Sequence, residues 1–351
     1  MGLVQYYPSS TRPLTPVISV CVANYNGTSF LADCLNSIFS QDVEGEIEVI
    51  VHDDASTDDS VTWLLDHYPQ VELLASRKNV GFCASNNRMT DHAKGEYLLL
   101  LNNDAALLPG ALNSLLKIAR AQTTPGIATL PQYDWQSGLL VDRGCLLDPF
   151  YNPIPNTDPE RQDVAMVIGA CLFIKRELWT SLGGFPEWLE SIGEDLYLCC
   201  QARLRSFPVQ VTNDSGYRHR QGASFGGNRA DSRRGLSTTF NRRRLSERNK
   251  TFTMVVCTPG ALLWALLALH LVLLNIEGLL LSLMRRDAAL WRTVYAPVTG
   301  ELWKNRVRLK DARRSTQSQK HTSVRQYFHP FAMRLRKLDL LLRHGAPRFR
   351  P

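Results

Sequence analysis

A strand–helix alternation whose strands end in polar residues constrains this chain more than any other feature. Residues 17–23 form an apolar run that predicts a buried strand, ending at Asn24, Tyr25, Asn26 and Gly27. Phe30, Leu31, Cys34, Leu35 and Ile38 then follow helical spacing. Residues 46–52 predict a second strand running into Asp53, Asp54 and Asp58, where Ser56 or Thr57 can cap a helix containing Val61, Leu64 and Leu65. A third strand over 71–75, a helix over 84–93 and a fourth strand over 97–101 complete the series, the last ending at Asn102, Asn103 and Asp104. This alternation implies an α/β fold with a mainly parallel central sheet, because parallel strands need crossover connections that cover both faces. Ligands on such sheets gather beyond the carboxyl ends of the strands, where three polar clusters lie.

The rest of the chain is less regular. Residues 125–163 are rich in Pro and Asn and predict short strands and loops. Residues 166–174 predict a strand, followed by the segment 177–182 and then Gly183, Gly184, Phe185 and Pro186; residues 194–207 predict a helix and 209–211 a short strand. With 351 residues, 44% hydrophobic and 21% charged, the chain can build a large core, which excludes a wholly disordered or fibrous protein. Its net charge of +7 is uneven: 13 Lys and Arg against 26 Asp and Glu up to Gly216, then 27 against 7 from Tyr217 onward. The basic part implies a polyanionic partner, either nucleic acid or an anionic membrane. The eight cysteines form no CxxC pair and sit mostly in apolar runs, as the buried reduced thiols of a cytosolic protein do. The leader, residues 1–16, has no apolar core and does not read as a signal peptide.

Residues 261–284 are strongly apolar. At ~1.5 Å per residue they are long enough to cross a hydrocarbon core of about 30 Å. His270 and the run Asn275, Ile276, Glu277, Gly278 interrupt them. A single span would put the 10 basic residues before this stretch, from Tyr217 on, and the 17 after it on opposite sides. A re-entrant hairpin or helices lying in the interface are therefore favoured over a span, with a buried helix as the third reading. Near the end, Leu335, Leu338, Leu341 and Leu342 against Arg334, Arg336, Lys337 and Arg343 predict a basic amphipathic helix.

Several residues can carry chemistry. Asp53, at a strand end, can hydrogen-bond a base or ribose, whereas Asp58 suits a helix cap. Arg77 and Lys78, before the turn Asn79, Val80, Gly81, Phe82, can receive phosphate oxygens. Asp104 follows a leucine run and must be hydrated, paired or metal-bound; Mg2+ and Mn2+ share such oxygen ligands with substrate phosphates. Glu194 and Asp195 open a helix, where the dipole alone favours acids, but a carboxylate facing a pocket can also take a proton from a hydroxyl. His219, in a loop between Arg218 and Arg220, reads alone as a solvated side chain.

The order of these segments is more specific than any one of them. Residues 20–26, 52–58, 79–82 with Asn86 and Asn87, 101–104, 183–187, 193–195 and 219–224 together resemble the family 2 inverting glycosyltransferases of GT-A fold, in particular a bacterial rhamnosyltransferase-like branch. The resemblance covers about residues 17–250. It implies that Asp53 reads the nucleotide base, with Asn24 and Asn26 in the same pocket, and that Arg77, Asn79 and Gly81 line the nucleoside and sugar. Asp104 matches the second carboxylate of the family's DxD motif, beside Asn103. Asn102 stands where the first Asp would be. His219 matches a histidine that completes the metal site, Asp195 the general base, and Glu194 a residue that positions it or binds acceptor.

The resemblance thus implies sugar transfer, with rhamnose as a candidate, from a nucleotide-diphospho-sugar to a hydroxyl of a lipid-linked or cell-envelope glycan. Mg2+ or Mn2+ would sit on the diphosphate. Residues 17–250 are expected to form the catalytic domain. Residues 251–351 would form a helical region holding it to the cytoplasmic face of the inner membrane. Transfer to polyprenyl phosphate itself is the nearest alternative. A nucleic-acid-binding protein using the basic tail is the alternative of another class. It lacks a recognised motif and leaves the strand-end acids unexplained, so no nucleic-acid partner is expected.

Overall fold

The computed structural model describes residues 4–222, 229–231 and 235–350; Ala223 and Ser224, which close the last segment of the resemblance, lie outside them. The apolar runs pair into an eight-stranded sheet. Its order is β1 (Val4–Tyr7), β4 (Glu72–Ser76), β3 (Ile47–Asp53), β2 (Ile18–Asn24) and β5 (Tyr97–Asn102), then Cys171–Lys175, Ile127–Thr129 and Val209–Val211. Neighbours from β4 to β5 are parallel, while β1 and Cys171–Lys175 run antiparallel to theirs, so the sheet is mainly parallel, as expected. Alternate residues of each strand serve opposite faces. Ile18, Val20 and Val22 meet Leu31, Leu35 and Ile38 of α1 (Thr28–Phe39). Cys21, Ile50 and Leu100 face the core that holds Met89 of α3 (Phe82–His92) and Leu198 of α6 (Glu194–Leu204). All eight cysteines are free and buried.

Four expectations change. The leader is not separate from the domain: β1 is an edge strand, and Arg12 reaches in to pair with Glu48 and Glu72, two sheet carboxylates that would be costly to bury alone. Ser56 and Thr57 do not cap the next helix, α2 (Ser60–His67); they bond instead to Asp53 and Asn26. The strand expected over 166–174 begins only at Cys171, because a turn closes before it, with Cys171 N donating to Ile168 O (3.1 Å). The interrupted apolar stretch is not a hairpin. It is one continuous helix, α8 (Leu262–Arg285).

The residues read as breaks in α8 are packing features. A Cβ on Gly278 would lie 2.6 Å from Tyr295 Cγ, so only glycine lets that ring approach. His270 bonds to Thr251 (2.8 Å), and Glu277 pairs with Arg243 (2.7 Å) and Lys337. These partners belong to α7 (Phe240–Cys257) and to the helix Arg336–His344. His270 and Glu277 of α8 therefore face the protein, while Trp264, Val272, Ile276, Leu280 and Leu283 are exposed. Helix α7 runs through the position expected as a domain boundary, and its Phe252, Met254 and Val256 share a core with Leu196 and Leu198 of α6.

Candidate active site

Three strand ends are tied together by one side chain. Asn24 Nδ2 donates to Asp53 Oδ2 (2.9 Å), and Asn24 Oδ1 accepts from Asn103 Nδ2 (2.7 Å). Asp53 also accepts from the amide (2.9 Å) and hydroxyl (2.7 Å) of Ser56. A carboxylate has about four lone-pair sites, so three protein donors leave Asp53 one for a ligand. Asn26 stands in the left-handed region (φ 50°) and holds Thr57 through its Oδ1.

Asp54 was assigned no role from the sequence, yet it builds the next wall. Its two oxygens accept from the amides of Val80 (2.7 Å) and Gly81 (2.8 Å). This anchors the turn after β4 and leaves Arg77 and Asn79 exposed beside the strand ends. Gly81 has φ 87°, which a side chain resists. Asn87 lies farther off: its amide brackets Phe185 through N and O, fixing the Gly183–Gly184 turn.

His219 is not a solvated loop residue. It ends the strand Tyr217–His219, paired with Ala105–Leu107 on one side and Gln132–Asp134 on the other, and is 9% exposed. Its Nε2 lies 3.1 Å from Oδ1 of Asp104, which is fully buried. Its Nδ1 faces Gln132 Oε1 at 3.3 Å, and that oxygen also accepts from Tyr217 OH (2.6 Å). Which ring nitrogen carries the hydrogen follows the tautomer, but the geometry sets Nε2 and the Asp104 oxygen side by side at the end of the strand. An oxygen and an imidazole nitrogen so oriented suit a divalent cation, with substrate oxygens completing its shell. Among the described residues no cluster of three His, Cys, Asp or Glu side chains could hold a metal ion on its own. Gln132, in the least regular stretch of sequence, carried no signal of this role.

Glu194 and Asp195 open α6 as expected. Asp195 Oδ2 accepts from Gly169 N (2.9 Å) and its Oδ1 from Leu196 N (2.7 Å). The segment that carries Gly169 also pairs with the end of β5, where Asn102 N donates to Ala170 O (3.1 Å). Asp195 is thereby linked through two hydrogen bonds to the strand end that bears Asp104. Glu194 is 6% exposed, and its Oε2 has no hydrogen-bond partner among the described residues. Burial, then the neighbouring Asp195 charge, push the Glu194 carboxyl up to about 8. Burial also raises Asp195, opposed by the amides of Gly169 and Leu196. Arg242 lies close enough to favour the charged form of both.

Residues 19–181 match Glycosyl transferase family 2. The chain carries a glycosyltransferase domain of this family. Chondroitin synthase of Escherichia coli is 27% identical over 54% of this chain, and the match spans only 27% of that relative's length. The N-acetylglucosaminyl-diphospho-decaprenol L-rhamnosyltransferase of Mycobacterium tuberculosis is 26% identical over 53% of this chain and 70% of its own. The mannosyltransferase PcManGT of Pyrobaculum calidifontis, solved with GDP-Man and Mn2+, superposes with a TM-score of 0.51 at 18% identity, over 89% of this chain and 90% of that one. The likeness to the solved structure establishes the GT-A fold.

The raised carboxyl pair has a kinetic consequence. A base must be deprotonated to act, so activity is expected to fall as pH drops through a value above the ordinary carboxylate range of about 4. Glu194, pushed up to about 8, is already neutral where Asp195 takes up its proton, so Glu194→Gln should leave the acid limb of the pH–rate profile in place, whereas Arg242→Gln, which removes a charge favouring ionised Asp195, should move it to higher pH. An unmoved limb in Arg242→Gln would show that this pair does not set it.

Proposed function

We propose that the protein is an inverting glycosyltransferase that moves a sugar, with rhamnose the leading candidate, from a nucleotide-diphospho-sugar to a hydroxyl of a lipid-linked or cell-envelope glycan. The observation that carries this reading is the bridge through Gly169 and Ala170, which sets Asp195 against the strand end bearing Asp104. A proton acceptor and a diphosphate site joined in this way are what a single displacement needs. The acceptor oxygen bonds to the anomeric carbon from the face opposite the leaving group. The bond from that carbon to the diphosphate oxygen breaks, and its electron pair leaves with the diphosphate. Asp195 takes the acceptor proton. Asp53, Asn24, Asn26 and Asn103 would hold the nucleoside, and Arg77, Asn79 and Gly81 would line the sugar. Glu194, buried with an oxygen unpartnered among the described residues, would bind the acceptor. Asp104 and His219 would hold Mg2+ or Mn2+, which when bound neutralises charge on the leaving diphosphate.

PcManGT was solved with GDP-Man, which supports the donor class, and the name of the rhamnosyltransferase relative, which carries N-acetylglucosaminyl-diphospho-decaprenol, supports rhamnose and a lipid-linked acceptor. Asp195→Asn is expected to lower transfer by at least 10³-fold while binding of nucleotide diphosphate, measured by calorimetry, stays within about threefold. Near-normal turnover in this variant would contradict the base assignment.

The reversed polarity of α8 supports action at the cytoplasmic face of the inner membrane. Near its hydrophobic outer face, the helix Arg336–His344 leaves Leu338, Leu342 and Arg343 exposed, as is Arg334 just before it. Apolar side chains rimmed by basic ones suit an anionic leaflet. Because His270 and Glu277 are bound to α7 and Lys337, α8 would lie along the surface rather than cross it. The chain is expected to float with vesicles containing phosphatidylglycerol, and Leu280→Glu with Leu283→Glu should abolish flotation while leaving nucleotide binding intact. Flotation unaffected by the double change would contradict this placement.

A further inference from the structure

The loop that leads into α6 has a conformation that side chains resist. Glu190 has φ 67°, Ile192 φ 68° and Gly193 φ 97°. Positive φ is a genuine outlier for a β-branched residue such as Ile192, and such strain persists only where the surroundings over-determine it. The surroundings here are largely one side chain. Asn249 of α7 is fully buried, and its Nδ2 lies 2.8 Å from Leu189 O, 2.9 Å from Ser191 O and 2.8 Å from Ile192 O. A carboxamide has two hydrogens, so three carbonyls use its whole donor capacity. A Cβ on Gly193 would stand 3.4 Å from Asn249 Cβ, so the two backbones are close as well.

Asn249 is itself braced. Its Oδ1 accepts from Arg248 Nε (2.9 Å), and the same guanidinium reaches Glu190 (2.7 Å) and Leu189 O (3.1 Å). Helix α7 is also held elsewhere along its length, where Glu247 pairs with Lys250 (2.6 Å), Arg243 (3.0 Å) and Lys337 (2.8 Å). The post that carries Asn249 therefore cannot shift easily.

We propose that Asn249 is a positioning residue for the reaction: by holding residues 189–192 it sets the direction in which Asp195 leaves Gly193 and meets the amide of Gly169. It touches neither donor nor acceptor. This inference rests on Asp195 being the base, and the loop residues it explains lie 57 to 60 positions away in sequence from Asn249.

The test uses the full chain with Mn2+ and whichever of dTDP-rhamnose, UDP-N-acetylglucosamine and GDP-mannose the unaltered protein hydrolyses or transfers. Asn249→Asp keeps the shape and removes both donors, and Asn249→Ser keeps a single donor should a buried carboxylate prevent folding. Either change is expected to lower kcat by about 10- to 100-fold, with donor KM and binding of the matching nucleoside diphosphate unchanged and the acid limb of the pH–rate profile displaced. Wild-type kcat in a folded variant, or a parallel loss of kcat and nucleotide binding, would overturn the proposal. Asp195→Asn is measured alongside: if it turns over normally, the base assignment fails, whereas an inactive Asp195→Asn with a fully active Asn249→Asp removes the positioning role alone.

Discussion

The carboxamide of Asn24 is the interaction on which the site's floor depends. It donates to Asp53 and accepts from Asn103, so the ends of β2, β3 and β5 are joined through one group. The junction is close-packed: a Cβ on Gly27 would lie 2.1 Å from Asn103 Nδ2 and 2.3 Å from Asn24 Oδ1. A glycine there is thus a packing requirement, and the turn out of β2 can wrap the junction only without a side chain. Once the strand ends are locked, Asp104 follows β5 into a fully buried position. His219, brought in by a separate small sheet, meets it there.

The opposite wall is organised by charge and burial. Glu194 and Asp195 are adjacent, and both carboxyls are raised above their ordinary values, so the pair resists carrying two charges at neutral pH. Backbone amides of Gly169 and Leu196 favour the charge on Asp195 in particular. The basic C-terminal part contributes inward as well as outward. Arg243, Arg248, Lys250 and Lys337 all form ion pairs inside the protein, around α7. The net charge of that part therefore overstates what it can offer a polyanion.

Much of the frame was legible because apolar strands that end in Asn and Asp announce both the sheet and the edge where ligands bind. Asp53, Asp104 and Asp195 lie where the spacing placed them. His219 was misread alone because its strand is three residues long and takes its partners from residues 105–107 and 132–134, far earlier in the chain. Asp54 and Gln132 were missed for a related reason: each acts by accepting hydrogen bonds from a distant segment, which no local pattern encodes. For α8, composition alone could not tell which face would turn outward. Asn275 and Gly278 looked like a break, yet Asn275 bonds back to Leu271 O (2.8 Å) and Gly278 admits Tyr295.

The proposed cation site at the buried Asp104–His219 pair can be checked by calorimetric binding of UDP, GDP and dTDP across a Mn2+ titration. For the unaltered chain, affinity for at least one of these should rise with Mn2+, and in Asp104→Asn that Mn2+ dependence should be lost. Identical Mn2+ titrations for the two proteins would contradict the assignment.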